Sequence, residues 1–380
     1  GFSPALATSL ALYSTDEISG QVLPNRLYDS IRNIASDIEQ DNLQPVVYLK
    51  DGIPKDFHAF ALYPYEFDDS YESIRFSTLS EATAYYFINR ESSNTIRQKS
   101  KDLLRVTKSQ LDKLRLKVQR LNEDLYRAEN SDKYRLYGEL LTANLHTVKP
   151  GDRQVIVTSY YDNSQVKIPL DPKYSPARNA QNYYKKYGKA KTAIKEKKLQ
   201  LTEAASEIEY LESVESFIER ANSIEELGLL REELVESGYL RNRKQSKASR
   251  RGNSNKRSKP KPHSYTLSSG MSVLVGRNNS ENDWLTFKKA SSSDIWLHTK
   301  DIHGSHAILL TEGRTPTEDD LFEAASIAAF HSKGNTSENV PVDYTKVRYV
   351  KKPTGSKPGF VIFTHNRTLY VRPALPNREK

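Results

Sequence analysis

The spacing of apolar positions changes character along the chain, and each change marks a unit. In residues 1–43 it is helical. Ser3 before Pro4 makes an N-cap and first turn, Ala5 to Tyr13 is apolar on most sides, and Leu27, Ile31, Ile34 and Ile38 recur at helical spacing. Residues 44–90 shift to short runs. Pro45 to Leu49 and Asp56 to Leu62 read as strands joined through Asp51-Gly52, a strong turn pair, and a helix with Ala82, Tyr85, Tyr86 and Ile88 closes the segment. Two strands do not make a stable sheet alone.

Between 91 and 240 the period becomes seven. Leu104, Leu111, Val118 and Leu125 form one seam, with Leu114 and Leu121 beside it. A matching pattern returns in Tyr187, Ile194, Leu201 and Ile208, flanked by Ala190, Ala204, Leu211 and Ile218. Two heptad helices separated by a compact insert predict a long antiparallel coiled-coil hairpin. In the insert, near 146–176, Gln154 to Tyr161 and Gln165 to Leu170 alternate around Asp162-Asn163-Ser164 and predict a β-hairpin. Tyrosines and lysines beside it, such as Tyr134, Tyr183, Lys185 and Lys186, suit either base stacking or packing at the end of the coil.

From 263 to 380 the pattern is that of a compact domain. Tyr265–Leu267, Ser272–Val275, Ala307–Leu310, Lys346–Lys351, Phe360–Thr364 and Leu369–Arg372 read as strands, and Thr317–Ser332 as the one principal helix. The chain is therefore an α+β multidomain protein: a small helical module, part of an α/β domain, a coiled-coil arm with a β-hairpin insert, and an α+β C-terminal domain.

Charge adds a fifth unit. Net charge is +9, yet residues 1–90 carry 6 Lys and Arg against 13 Asp and Glu, while residues 241–262 carry 10 against none. Arg250, Arg251, Lys256 and Arg257 lie in this segment among Ser, Asn, Gly and Pro, a composition that predicts a disordered linker and a polyanionic partner. There are no cysteines, so disulfide and thiolate chemistry is excluded and a reducing, cytoplasmic compartment fits. No apolar run approaches the roughly 20 residues of a membrane span. The single methionine is Met271, so the sequence reads as a fragment.

Candidate chemistry concentrates at Asp294-Ile295-Trp296-Leu297-His298-Thr299-Lys300, followed by Gly304-Ser305-His306 and an aliphatic strand. Further on stand Ala324–Phe330, Val340–Thr345, Val350–Pro353 and Lys357-Pro358-Gly359. These five motifs, in this order, resemble the C-terminal R domain of the NFACT family, the ribosome-quality-control factors of the RqcH and NEMF type, some of which bear the name fibronectin-binding protein. Two positions depart from the family pattern: His303 replaces a proline and Ala307 a valine. The opening Gly1-Phe2-Ser3-Pro4 is similar to the start of the family's helix-hairpin-helix-like module, and residues 44–90 to the end of its N-terminal domain, whose larger part the resemblance implies to lie upstream.

The resemblance implies a factor that binds stalled large ribosomal subunits carrying peptidyl-tRNA, recruits tRNA, and directs template-free alanine addition to the nascent chain. Its partners would be the large subunit, rRNA and tRNA. Peptide-bond formation would belong to the ribosome, with no enzyme activity and no cofactor in this chain. The alternative is a cell-surface adhesin for fibronectin or fibrinogen. Among the residues, Arg277, Lys300, Arg348, Lys351, Lys352 and Lys357 fall at turns and strand ends that can reach phosphates. Trp296, Tyr344 and Tyr349 can stack on bases, and His298 and His306 can bond phosphate or ribose. Trp296 fits a core position equally, and the histidines can satisfy buried carbonyls. A metal site at His298, His303 and His306 lacks a ligand spacing of known type.

Overall fold

The computed structural model describes residues 2–16, 19–241 and 260–376. It divides into two units, residues 1–102 with 222–227, and residues 103–221 with 228–380. In the first, helix α1 (Pro4–Tyr13) is capped by Ser3, whose hydroxyl accepts from the Leu6 amide at 3.3 Å. Helix α2 (Pro24–Glu39) follows, then strands β1 (Val46–Lys50) and β2 (Ile53–His58). Asp51 and Gly52 both adopt positive φ, as the tight hairpin between these strands demands.

Among the described residues this sheet has three strands. Strand β3 (Glu72–Arg75) pairs with β1, giving the order β2-β1-β3. Sequence reading missed β3 because Glu-Ser-Ile-Arg carries one apolar residue and lies at an edge. Tyr48 of the central strand is fully buried, and its hydroxyl both donates to Glu66 and accepts from the Leu62 amide. The closing helix expected before residue 90 does not stop there. It runs unbroken as α4 from Leu79 to Glu129, since no glycine, proline or cap interrupts it.

In the second unit, α4 lies antiparallel to α6 (Pro176–Arg220). The cross-pairs give the direction: Lys108 with Glu215, Arg115 with Glu212, and Asp124 with Lys197. Leu111 and Leu121 are buried in the seam with Ala204, Leu211 and Ile218, whereas Leu104, Leu114, Val118 and Leu125 are half-buried. Leu103 and Thr107 are buried in their place at the start, as expected when a helix of 3.6 residues per turn drifts from a seven-residue repeat. Beyond the coil, α5 (Asp132–Ala143) and the hairpin of β4 (Gln154–Thr158) and β5 (Gln165–Pro169) close a small core around Leu140, Leu141, Ile168 and Tyr183. Helix α7 (Ile224–Glu236) ends this part.

The C-terminal domain is one antiparallel sheet in the order β13-β10-β8-β9-β7-β6. The strands are β6 (His263–Thr266), β7 (Ser272–Val275), β8 (Ile295–Thr299), β9 (Ala307–Leu310), β10 (Val340–Lys346) and β13 (Arg367–Val371). Alternation sends Val273, Val275, Ile295, Leu297, Ala307 and Leu309 to one face, under helix α9 (Glu318–Phe330). Leu274, Trp296 and Ile308 go to the other, where Leu285, Val347 and Val350 cover them. Leu285 comes from helix α8 (Asn279–Trp284) and the wider turn that extends it to Lys289, a polar stretch that periodicity did not reveal. Helix α9 starts at a capping box between Thr317 and Asp320. The strand expected at Lys346–Lys351 is three pieces: the end of β10, a single 3₁₀ turn at Val347–Tyr349, and the short β11 (Val350–Lys351), which pairs with β12 (Ile362–Phe363).

Candidate nucleic-acid interface

The signature stretch occupies the centre of this sheet. Strand β8 is flanked by β9 and β10, with Trp296 opposite Ile308 on one side and Thr345 on the other. Asp294, just before it, is a structural staple: its carboxylate accepts from the Thr311 amide at 2.9 Å and hydroxyl at 3.0 Å, and from the Ser291 amide at 2.8 Å. Trp296 is 1% exposed and packs on Phe363, with ring centroids 4.8 Å apart. Its indole nitrogen is buried and finds no acceptor among the described residues.

The two histidines of the motif are held neutral. Burial pushes His298 down to about 4 and His306 down to about 3, against backbone hydrogen bonds that favour the charged ring. His306 Nδ1 lies 2.8 Å from the Thr286 hydroxyl, and its amide donates to Asn282 Oδ1 at 3.1 Å. The His298 ring stacks on Trp296, the planes 10° apart. Among the described residues no group of three or more His, Asp or Glu is placed to hold a metal ion.

Arg277 is also internal. Its guanidinium grips Glu281 through two bonds of 2.9 and 3.1 Å, and both side chains are almost fully buried. Trp296, His306 and Arg277 are thus buried in the domain, and His298 is half-buried. A tryptophan and a histidine in one strand look like a binding surface in sequence; here Trp296 and His306 are buried, and with His298 they line the cavity described below.

The remaining cations split into two groups. Lys352 is neutralised by Asp283. Lys357 is held against the arm: its ammonium lies 3.7 Å from Glu207, 3.4 Å from the Tyr239 hydroxyl, and over the rings of Tyr210 and Tyr239. Lys300, Arg348 and Lys351 are exposed and make no ion pair among the described residues. Lys346 and Arg367, which sequence reading did not single out, are in the same condition. Tyr344, directly opposite Arg367, is partly buried against the main core. Arg348 lies 4.9 Å over the Tyr349 ring, and Tyr349 in turn stacks on His365 at 4.4 Å and 27°. His365 is a third residue the sequence did not flag. Arg250, Arg251, Lys256 and Arg257 lie outside the described residues.

The arm and the C-terminal domain meet in a polar joint. Glu233 of α7, 3% exposed, accepts from Tyr210 at 3.0 Å, from the Asn279 side chain at 3.1 Å and from the Ser280 amide at 3.3 Å. Burial outweighs these bonds and pushes its carboxyl up to about 7. His303, at the position where proline was expected, reaches Glu212 at 3.6 Å. A cavity of about 170 Å³ remains beside the joint, lined by Tyr210, Ser213, His303, Lys357 and Phe360 among others. It is below the roughly 300 Å³ at which small-molecule pockets begin, so the exposed cationic surface is the better candidate site.

The family profile for "NFACT N-terminal and middle domains" matches residues 1–253, and that for "NFACT protein RNA binding domain" matches residues 261–364. The Rqc2 homolog RqcH of Bacillus subtilis (strain 168) is 41% identical over 309 residues, which is 80% of this chain and 52% of that protein. The protein of the same name from Streptococcus suis (strain 05ZYH33) is 34% identical over 380 residues, 95% of this chain and 65% of that one. The chain thus spans about half to two thirds of the length of these relatives. Among solved structures, the C-terminal part of the fibronectin/fibrinogen-binding protein from Streptococcus suis superposes with a TM-score of 0.57 at 35% identity, covering 73% of this chain and 96% of that one.

Proposed function

The chain belongs to the NFACT family, and from that premise we propose that it is an RNA-binding factor of ribosome quality control. In this reading it engages a large ribosomal subunit that retains peptidyl-tRNA, recruits tRNA, and supports template-free alanine addition, while the ribosome makes the peptide bonds. The chain itself then acts by binding, in the cytoplasm, without a catalytic group or cofactor. The observation that carries the reading is the exposure of Lys300, Arg348 and Lys351, cations left without carboxylate partners among the described residues of a domain that matches an RNA-binding family. Cations that stay unpaired in the free protein are those able to replace counterions on phosphates.

The test is binding of the chain to purified large ribosomal subunits and to immobilised fibronectin, each across a salt series. Salt-sensitive subunit binding, weakened when Lys300, Arg348 and Lys351 are changed to alanine, is expected. Salt-tolerant fibronectin binding with no affinity for subunits would instead support the adhesin reading, which a solved relative's name favours.

A further inference from the structure

We infer that the turn between β12 and β13 presents a stacking platform for an unpaired nucleobase, so that the C-terminal domain takes single-stranded RNA in preference to duplex. This rests on the RNA-binding reading above and narrows it.

The platform is a ladder of three side chains. Arg348 covers the Tyr349 ring at 4.9 Å, and the exposed His365 ring stacks on Tyr349 at 4.4 Å. The ladder is anchored from below. The Thr364 amide donates to the Tyr349 carbonyl at 3.3 Å, the Thr345 hydroxyl donates to the Thr364 carbonyl at 2.9 Å, and β11 pairs with β12 at Val350 and Phe363. His365 itself adopts φ 57°, a conformation that glycine or asparagine would take more readily. The ring it carries there is exposed, so core packing does not account for a histidine at this turn.

Within three residues of the ladder in sequence stand Lys346, Lys351 and Arg367, exposed and without ion pairs among the described residues. Planar rings with exposed cations nearby in sequence match the face of a base and the phosphates on either side of it. A duplex hides its base faces within its own stack, and its deep groove does not admit side chains, so only an unpaired nucleotide can use the platform. An acidic peptide would satisfy the cations but leave the rings without a matching surface.

The experiment measures binding of the full chain by fluorescence anisotropy to three RNAs of equal length: a single strand, a duplex, and a single strand with abasic residues. His365→Gly is the informative variant, because it removes the ring while suiting the turn's positive φ, and its thermal melting controls for folding. Arg348→Ala is the second. The inference expects the intact single strand to bind most tightly, with His365→Gly weakening it by about tenfold and leaving the abasic strand unaffected. If all three RNAs bind alike and His365→Gly changes nothing, the platform is overturned while RNA binding stands. If no RNA binds the unmodified chain, or an acidic peptide of equal charge competes better than the single strand, both readings fall.

Discussion

Glu233 makes stability a function of pH in a direction opposite to that of most carboxylates. The perturbation is Glu233→Gln, which removes the titration while keeping the side-chain shape. In the folded chain the carboxyl is raised from its ordinary 4.5 to about 7, chiefly by burial. Because the folded-state value is the higher one, the protonated group contributes stability that is whole below about pH 4.5 and lost as pH rises through about 7. At about 1.4 kcal/mol per pH unit, the loss between pH 5 and pH 8 comes to roughly 2.5 kcal/mol. Both tryptophans, Trp284 and Trp296, belong to the C-terminal domain whose Asn279 and Ser280 hold the carboxyl. Their fluorescence during urea unfolding therefore reports the relevant part of the chain. The difference in unfolding free energy between the unmodified chain and the variant should fall by about that amount across this window. A constant vertical offset is expected from the altered hydrogen bonds and does not matter. Parallel profiles from pH 5 to pH 8 would refute the reasoning.

His298 and His306 are held neutral with depressed values, so their contribution is present above about 6.5 and lost as pH falls toward 4 and 3; acid unfolding should steepen below pH 6, and His306→Asn should flatten it. Trp296→Ala should cost about 3–5 kcal/mol by urea unfolding, whereas Arg348→Ala should cost under about 0.5. A Cβ at Gly276 would stand 2.2 Å from Asn282 Oδ1, which already accepts from the His306 amide, so Gly276→Ala should cost about 1–3 kcal/mol in the same assay. Lys351→Ala should lower the slope of log affinity against log salt for single-stranded RNA by about 0.7.

What could be read from the sequence was whatever repeats. The arms were legible because a seven-residue pattern persists over many turns, and the insert because alternation brackets Asp162-Asn163-Ser164, where Asn163 takes a positive φ. Strand β3 carries too few apolar residues to signal itself, and β10 begins Val-Pro-Val, a proline that argues against a central position. The candidate site was legible in type but less so in place. Residue identity cannot distinguish Lys351, which makes no ion pair among the described residues, from Lys352, which Asp283 neutralises from 69 residues away. Nor does a histidine after Phe-Thr announce that its backbone is left-handed and its ring stacked on Tyr349.

The order of strands in the C-terminal sheet also bears on how the domain is made. Strands emerge from a ribosome in sequence, yet β10, lying beside central β8, has as its other neighbour β13, the last strand among the described residues. From the time Val340–Lys346 leaves the exit tunnel until Arg367–Val371 follows, an apolar strand keeps one edge of amides and carbonyls open. Such an edge is a template for association with another chain. Nascent chains halted inside that interval should therefore be more prone to aggregate than those halted after β13.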